Sequence, residues 1–156
     1  MTTESTAEIA HGLFSPQGRM TRMRYIAYSG GLSFLIMLAV GIAGALLGAA
    51  VPGLGMIVVT LGYIAVFVLV VLLTIKRCHD FNVTGWLALV LIIPLAALIF
   101  WIIPGTEGDN RFGPAPPPNS TAVRIVAWII IGLAVLSAAG MVLAPGVMMT
   151  TMEGPA

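Results

Sequence analysis

Four apolar runs dominate this chain, and each is about as long as a membrane span. They cover residues 25–50, 56–75, 85–103 and 125–144, and no Asp, Glu, Lys or Arg lies inside any of them. A helix needs about 20 predominantly apolar residues to cross the hydrocarbon core of a bilayer. The sequence therefore predicts an all-α integral membrane protein with four transmembrane helices joined by short loops.

Composition supports this fold class and argues against several functions. Hydrophobic residues make up 59% of the 156 residues and charged residues only 8%, whereas soluble domains carry about 25% charged residues. We expect no nucleic-acid binding, because the net charge is only +1. The single cysteine, Cys78, has no nearby His or Cys at metal-site spacing, so we expect no metal, no cofactor and no catalytic residue.

The loops divide the chain and predict its orientation. Residues 1–18 form a polar tail, 19–145 the transmembrane domain and 146–156 a C-terminal tail. With four spans, the two tails and the 76–84 loop share one side, which carries five of the seven Lys and Arg residues: Arg19, Arg22, Arg24, Lys76 and Arg77. The positive-inside rule then predicts a multi-pass protein of the bacterial inner (plasma) membrane with both termini in the cytoplasm.

The third run, 85–103, allows a second topology because Pro94 lies at its centre. A proline inside a helix removes a backbone hydrogen bond and favours a break. The segment could therefore enter and leave the membrane on the same face, as a re-entrant hairpin. In that case the 104–118 loop would lie in the cytoplasm beside the 76–84 loop and the N-terminal arginines, and the C-terminus would lie outside.

Three short motifs flank the runs and carry a family resemblance. They are GRMTRMRY at 18–25, RCHD at 77–80 followed by TGW at 84–86, and PGTEGDNRFGP at 104–114. Their order and placement resemble those of the bacterial membrane family called domain of unknown function 805. The resemblance implies a few membrane helices and no established activity, so it supplies no functional residue. The fourth run lies beyond the region of resemblance.

The same motifs supply the candidate functional or interfacial cluster. Its members are Arg19, Arg22, Arg77, His79, Asp80, Asn110 and Arg111. The N-terminal arginines are interpreted as anchors for anionic lipid headgroups or as a partner-binding surface. Arg77 and Asp80 are three residues apart and can pair at a helix end, whereas His79 with Asp80 could form a small titratable site. Asn110 and Arg111 belong either to a solvated turn or to a loop that folds over the helix ends.

Small residues in the first run predict close helix packing. Gly44 and Gly48 form a GxxxG pattern, and Gly41 extends it. Such a stripe lets two helix backbones approach each other. It predicts contact with the second helix, with a dimer seam as the alternative.

Three classes of function are compatible with these features. The absence of charge inside the runs favours a scaffold or accessory protein that binds the lipid bilayer, other membrane proteins or a second copy of itself. A small transporter or channel component is the alternative, although such proteins usually carry polar or charged groups inside the membrane. An interfacial enzyme using His79 and Asp80 is the third class, and no nucleophile is apparent for it.

Overall fold

The computed structural model describes residues 12, 14–93 and 97–152 of the chain. Its main elements are helices: α1 (Arg22–Ala50), α2 (Leu54–Asp80), a 3₁₀ helix (Gly85–Ile92), α3 (Ala97–Ile102) and α4 (Thr121–Met152). In these ranges the one β interaction is an isolated bridge between Asn110 and Gly113. The predicted all-α class is confirmed.

The count of four spans is not confirmed. By length and composition, three helices in the described part of the chain can cross a membrane: Arg22–Ala50, Leu54–Asp80 and Thr121–Met141. The predicted third span, 85–103, contains the eight-residue 3₁₀ helix and the six-residue α3. Residues 94–96, which include Pro94, lie outside the described residues, as do residues 1–11 and 13 of the predicted N-terminal tail. Helix α4 continues to Met152, through most of the predicted C-terminal tail.

Helix α2 extends about one and a half turns beyond the end of the predicted 56–75 span, because the charged residues after Ile75 remain helical. It ends in a Schellman motif: Val83 N donates to Cys78 O at 3.0 Å and Asn82 N to His79 O at 3.2 Å. Asn82 has a φ of 62°, the left-handed conformation that stops a helix. The last turn of α2 therefore carries Arg77, His79 and Asp80.

Glycines bring α1 and α2 into a tight antiparallel hairpin. The turn contains Gly53 at φ 92°, and the space that a Cβ on Gly55 would need is occupied by the backbone of Gly44 and Gly48. The position of a Cβ on Gly41, by contrast, has nothing within 4 Å. In this structure the GxxxG stripe thus packs within the chain, against α2.

Helix α4 runs parallel to α1, since Ile26 and Ala27 pack with Ala127 and Gly30 lies against Ile130. The contact involves the first turn of α1 and continues into its π-helical segment, Ala27–Leu32. Helices α1 and α4 therefore begin at the same end of the molecule, where α2 ends. We call it the polar end.

Both ends of the 85–103 segment also lie at the polar end. Gly85 packs against Ile75, and Ile103 O accepts a hydrogen bond from Arg77. The hydrophobic core beneath consists of Met20, Tyr25, Leu69, Leu73, Cys78 and Phe100. Most other large apolar side chains of the long helices are exposed, as expected for a surface that faces lipid. The segment thus begins and finishes beside the last turn of α2.

Candidate functional site

Arg77 is the most deeply buried charged group at the polar end, with an exposure of 0%. Its Nε donates to Phe100 O at 3.0 Å, its Nη2 donates to Ile103 O, and its Nη1 contacts Met20 O at 3.4 Å. A guanidinium has five N–H donors in a fixed plane, so it can bind several carbonyls at once. Arg77 therefore fastens α2 to the end of α3 and to the segment before α1.

Asp80 lies between two arginines. Its Oδ2 accepts a hydrogen bond from Arg77, and its Oδ1 lies 3.3 Å from Arg19. Both salt bridges are buried, because the side chains of Arg19, Arg77 and Asp80 are 1%, 0% and 5% exposed. One carboxylate thus balances two guanidinium groups, and these groups require further hydrogen bonds to carbonyls.

Arg19 finds those carbonyls in the loop after α3. It donates to Thr106 O and Gly108 O, each at 2.6 Å, and to Gly113 O at 3.3 Å. The loop residues 104–113 therefore fold around the side chain of Arg19, although the carbonyls that it binds lie 87 to 94 positions away in sequence.

The same loop caps the C-terminus of α2. Thr106 donates to Asp80 O through its backbone N at 2.7 Å and its Oγ1 at 2.5 Å. Asn110 Nδ2 donates to His79 O at 2.8 Å and contacts Thr106 Oγ1 at 3.0 Å. Carbonyls at a helix end have no partner inside the helix. Thr106 supplies the partner of Asp80 O, and Asn110 adds a second donor to His79 O, which also accepts from Asn82 N. We call Arg19, Arg77, His79, Asp80, Thr106 and Asn110 the polar cluster.

His79 is held by a stack at the edge of this cluster. Its ring lies 4.0 Å from the ring of Phe112 at 8°, and the Arg111 guanidinium lies 4.7 Å from the same Phe112 ring. His79 Nδ1 is 3.2 Å from Gly18 O, so Nδ1 carries the proton, because a carbonyl only accepts. Arg111 donates to Asn82 O at 2.9 Å.

Three residues at the start of α1 extend the network toward α3 and α4. Arg22 donates to Ile102 O at 3.3 Å, Arg24 to Pro118 O at 3.1 Å, and Thr21 Oγ1 to Asn119 Oδ1 at 2.6 Å. The structure therefore places all seven candidate residues of the sequence motifs at one end of the molecule. Arg19, Arg77 and Asp80 are in direct contact, and Arg22 reaches the group only through the end of α3.

Sequence reasoning missed the backbone acceptors and two close contacts. Phe100 O and Ile103 O bind Arg77, but no side-chain pattern marks a carbonyl. Gly105 packs so closely on Asp80 that a Cβ would overlap the carboxylate; the Pro-Gly pair after an apolar run was the one available signal. Phe112 lies within the third motif, but no sequence pattern predicts that it stacks on His79.

The contacts of the polar cluster are structural. Within residues 12, 14–93 and 97–152, no group of three or more His, Cys, Asp or Glu side chains is placed to hold a metal ion. Cys78 is a free thiol with an exposure of 0%. The charged groups bind one another and backbone carbonyls, and this holds residues 104–113 over the end of α2.

Comparison with known proteins places this arrangement in a family. Residues 13–114 match the family described as Protein of unknown function (DUF805). The chain belongs to the DUF805 family. The match contains the whole polar cluster, α1, α2, the 3₁₀ helix and α3, whereas α4 lies beyond it.

The chain is also similar to two inner membrane proteins of Escherichia coli. The chain is 30% identical over 103 residues to the inner membrane protein YhaI of Escherichia coli strain K12, covering 64% of this chain and 83% of that protein. The same values hold for YhaI of Escherichia coli O157:H7. No solved structure matches the chain. The DUF805 match and the apolar helices together identify a membrane protein, with a molecular function that the family does not define.

Proposed function

We propose that this chain is an inner-membrane scaffold or accessory protein that binds lipids or other membrane proteins. The observation that carries the proposal is the internal saturation of the polar cluster. Arg77 donates to Asp80 and to backbone carbonyls of three residues, and Arg19 donates to Asp80 and three further carbonyls. Side chains that are fixed in this way stabilise the conformation of the surrounding loop. They are poorly placed to bind a substrate or move a proton.

The proposal includes a topology with three crossings and a re-entrant 85–103 segment. In this arrangement all seven Lys and Arg residues of the chain lie at the polar end, including Arg111 and Arg124. The opposite end, with the 51–53 hairpin and the end of α4, carries none. By the positive-inside rule the polar end faces the cytoplasm, and the name of the YhaI relatives supports the inner membrane. The C-terminus then lies on the outer face.

The surface offered to partners is the exposed rim of the polar end. Glu107, Asp109 and Arg111 are exposed, while the residues behind them are fixed by the polar cluster. A loop that is ordered before binding loses little conformational entropy on association. The 107–111 rim is therefore the favoured contact surface for a protein partner.

Site-specific photocross-linking in native membranes tests the proposed function. A photoreactive amino acid replaces Glu107 or Asp109 in the tagged full-length chain, and the control replaces Val51, which is exposed at the opposite hairpin. We expect discrete adducts with an integral membrane protein from the rim positions and not from position 51.

A different activity would overturn the proposal. The purified protein is reconstituted alone in vesicles, and solute flux is measured for wild type and His79→Ala. Flux that depends on His79, together with no rim adducts, would assign the protein to transport instead.

A further inference from the structure

Helix α4 packs against one short stretch of α1. Ala127 of α4 has an exposure of 0%, and it lies against Ile26 and Ala27 of α1, which are also buried. Small side chains at such a contact let two membrane helices approach each other closely. We call the surface of α1 that meets α4 the α4-contact surface; it consists of Ile26, Ala27, Gly30 and Gly31.

Two glycines make this surface specific for a closely packed helix. A Cβ on Gly30 would lie 2.7 Å from Ile130 Cγ2, and a Cβ on Gly31 would lie 2.9 Å from Val126 Cγ1. Both glycines belong to the π-helical turn Ala27–Leu32, a rare distortion that is frequent at functional sites. The α4-contact surface is therefore shaped to receive the side chains of another helix.

The contact of α4 with α1 is concentrated in the first turns of α4. Further along, Val135 and Met141 are exposed, and the Cβ positions of Gly132 and Gly140 have nothing within 4 Å. An apolar helix is stable in lipid by itself, and its association with other helices depends on packing and interhelical hydrogen bonds. Separation of α4 from α1 would therefore expose both helices to lipid and not to water.

The polar cluster is complete without α4. Its hydrogen bonds join residues within 18–113, and the DUF805 match ends at residue 114. The matched 103 residues are 83% of YhaI, so the unmatched remainder of that protein is shorter than the 32 residues of α4. The domain that the family shares therefore includes the stretch of α1 that carries the α4-contact surface, but not α4.

We propose that the α4-contact surface is a binding site for a transmembrane helix and that α4 is its covalently attached ligand. The helix that fits has an alanine directly after one β-branched residue and three positions before another, as Ala127 stands between Val126 and Ile130. While α4 is bound, the site is closed to other helices. This site lies within the membrane-spanning part of α1, away from the 107–111 rim, so neither contact surface depends on the other.

Exchange of α4 between two copies of the chain tests the proposal. Two versions of the full-length protein carry different affinity tags at the N-terminus and different epitopes at the C-terminus. Each has a protease site inserted between Ala115 and Pro116, in the loop before α4. After cleavage in detergent we expect α4 to be recovered with its own domain. After equal amounts of the two cleaved proteins are mixed, recovery by one affinity tag should yield both epitopes in equal shares.

Ala127→Leu tests the packing without any change in the 13–114 domain. The larger side chain would overpack against Ile26 and Ala27, so we expect retention of the cleaved α4 to fall by about tenfold. Val135→Leu, at an exposed position, is the matched control and should be retained like wild type. Loss of wild-type α4 on cleavage, or equal retention of the Ala127→Leu helix, would overturn the proposal. Retention without exchange would overturn it too, because α4 would then be a fixed part of the fold and not a ligand.

Discussion

The carboxylate of Asp80 lies directly against the α-carbon of Gly105, where a Cβ would overlap it. This contact lets the loop approach the end of α2 closely enough for Thr106 to donate twice to Asp80 O. Glycine is required here by the close approach of the side chain, and its backbone φ is not in the left-handed region.

Gly105→Ala should therefore displace residues 104–113 from α2. We expect a loss of about 1–3 kcal/mol in the free energy of unfolding, the usual cost of overpacking a tight contact, and faster proteolysis of the loop. Thermal unfolding in detergent, followed by circular dichroism, gives the measurement. Gly41→Ala is the control, because its Cβ would meet no atom within 4 Å. Equal unfolding midpoints for the two variants would contradict the close packing of Gly105 on Asp80.

Asp80→Asn should be more damaging than removal of the negative charge at Glu107 or Asp109, which are exposed. It leaves the buried guanidinium groups of Arg19 and Arg77 without their anion, and breaking a buried pair in this way costs about 3–5 kcal/mol. The matched control is Asp109→Asn, since Asp109 is exposed. The measurement is the unfolding midpoint, together with the yield of folded protein extracted from membranes. An Asp80→Asn variant as stable as Asp109→Asn would show that the two salt bridges contribute nothing.

Arg77→Lys should fail to replace arginine although the charge is retained. A lysine ammonium has three donors on one nitrogen, so it cannot reach Phe100 O, Ile103 O and Asp80 together as the planar guanidinium does. We expect Arg77→Lys to lower the unfolding midpoint clearly, whereas Arg111→Lys, at an exposed position, should change it little. If both lysine variants unfold at the wild-type temperature, the forked geometry of Arg77 is dispensable.

Hydropathy predicted much of the fold and little of the polar cluster. Residues 25–50 and 56–75 lie inside α1 and α2, and 125–144 inside α4, because long uncharged runs have few alternatives in a bilayer. Hydropathy did not predict the topology of the 85–103 segment, because apolar composition is the same for a full membrane span and for a segment that returns to its starting face. The contact that distinguishes the two, from Arg77 to Ile103 O at the far end of the segment, joins residues 26 positions apart in sequence.

The candidate site was likewise predicted only in part from the sequence. The motifs brought Arg19, Arg77 and Asp80 to attention, and the spacing of Arg77 and Asp80 allowed the pair that the structure contains. The backbone acceptors of Arg19, at Thr106, Gly108 and Gly113, depend on a loop conformation that no local pattern encodes. The motifs therefore identified the charged members of the polar cluster but not the backbone carbonyls that they bind.

Thiol accessibility provides the test of topology. Cys78 has an exposure of 0%, so its reactivity reports burial in the protein and not its side of the membrane; new thiols are needed in a Cys78→Ala background. Asp109→Cys should stay unlabelled by a membrane-impermeant maleimide in sealed spheroplasts and react once the membrane is opened. Val51→Cys, at the opposite hairpin, and Thr151→Cys, near the end of α4, should both react in sealed spheroplasts. A four-span protein would give the reverse result at positions 109 and 151 with the same result at 51, because a full crossing by 85–103 would move the 104–118 loop outside and return the C-terminus to the cytoplasm.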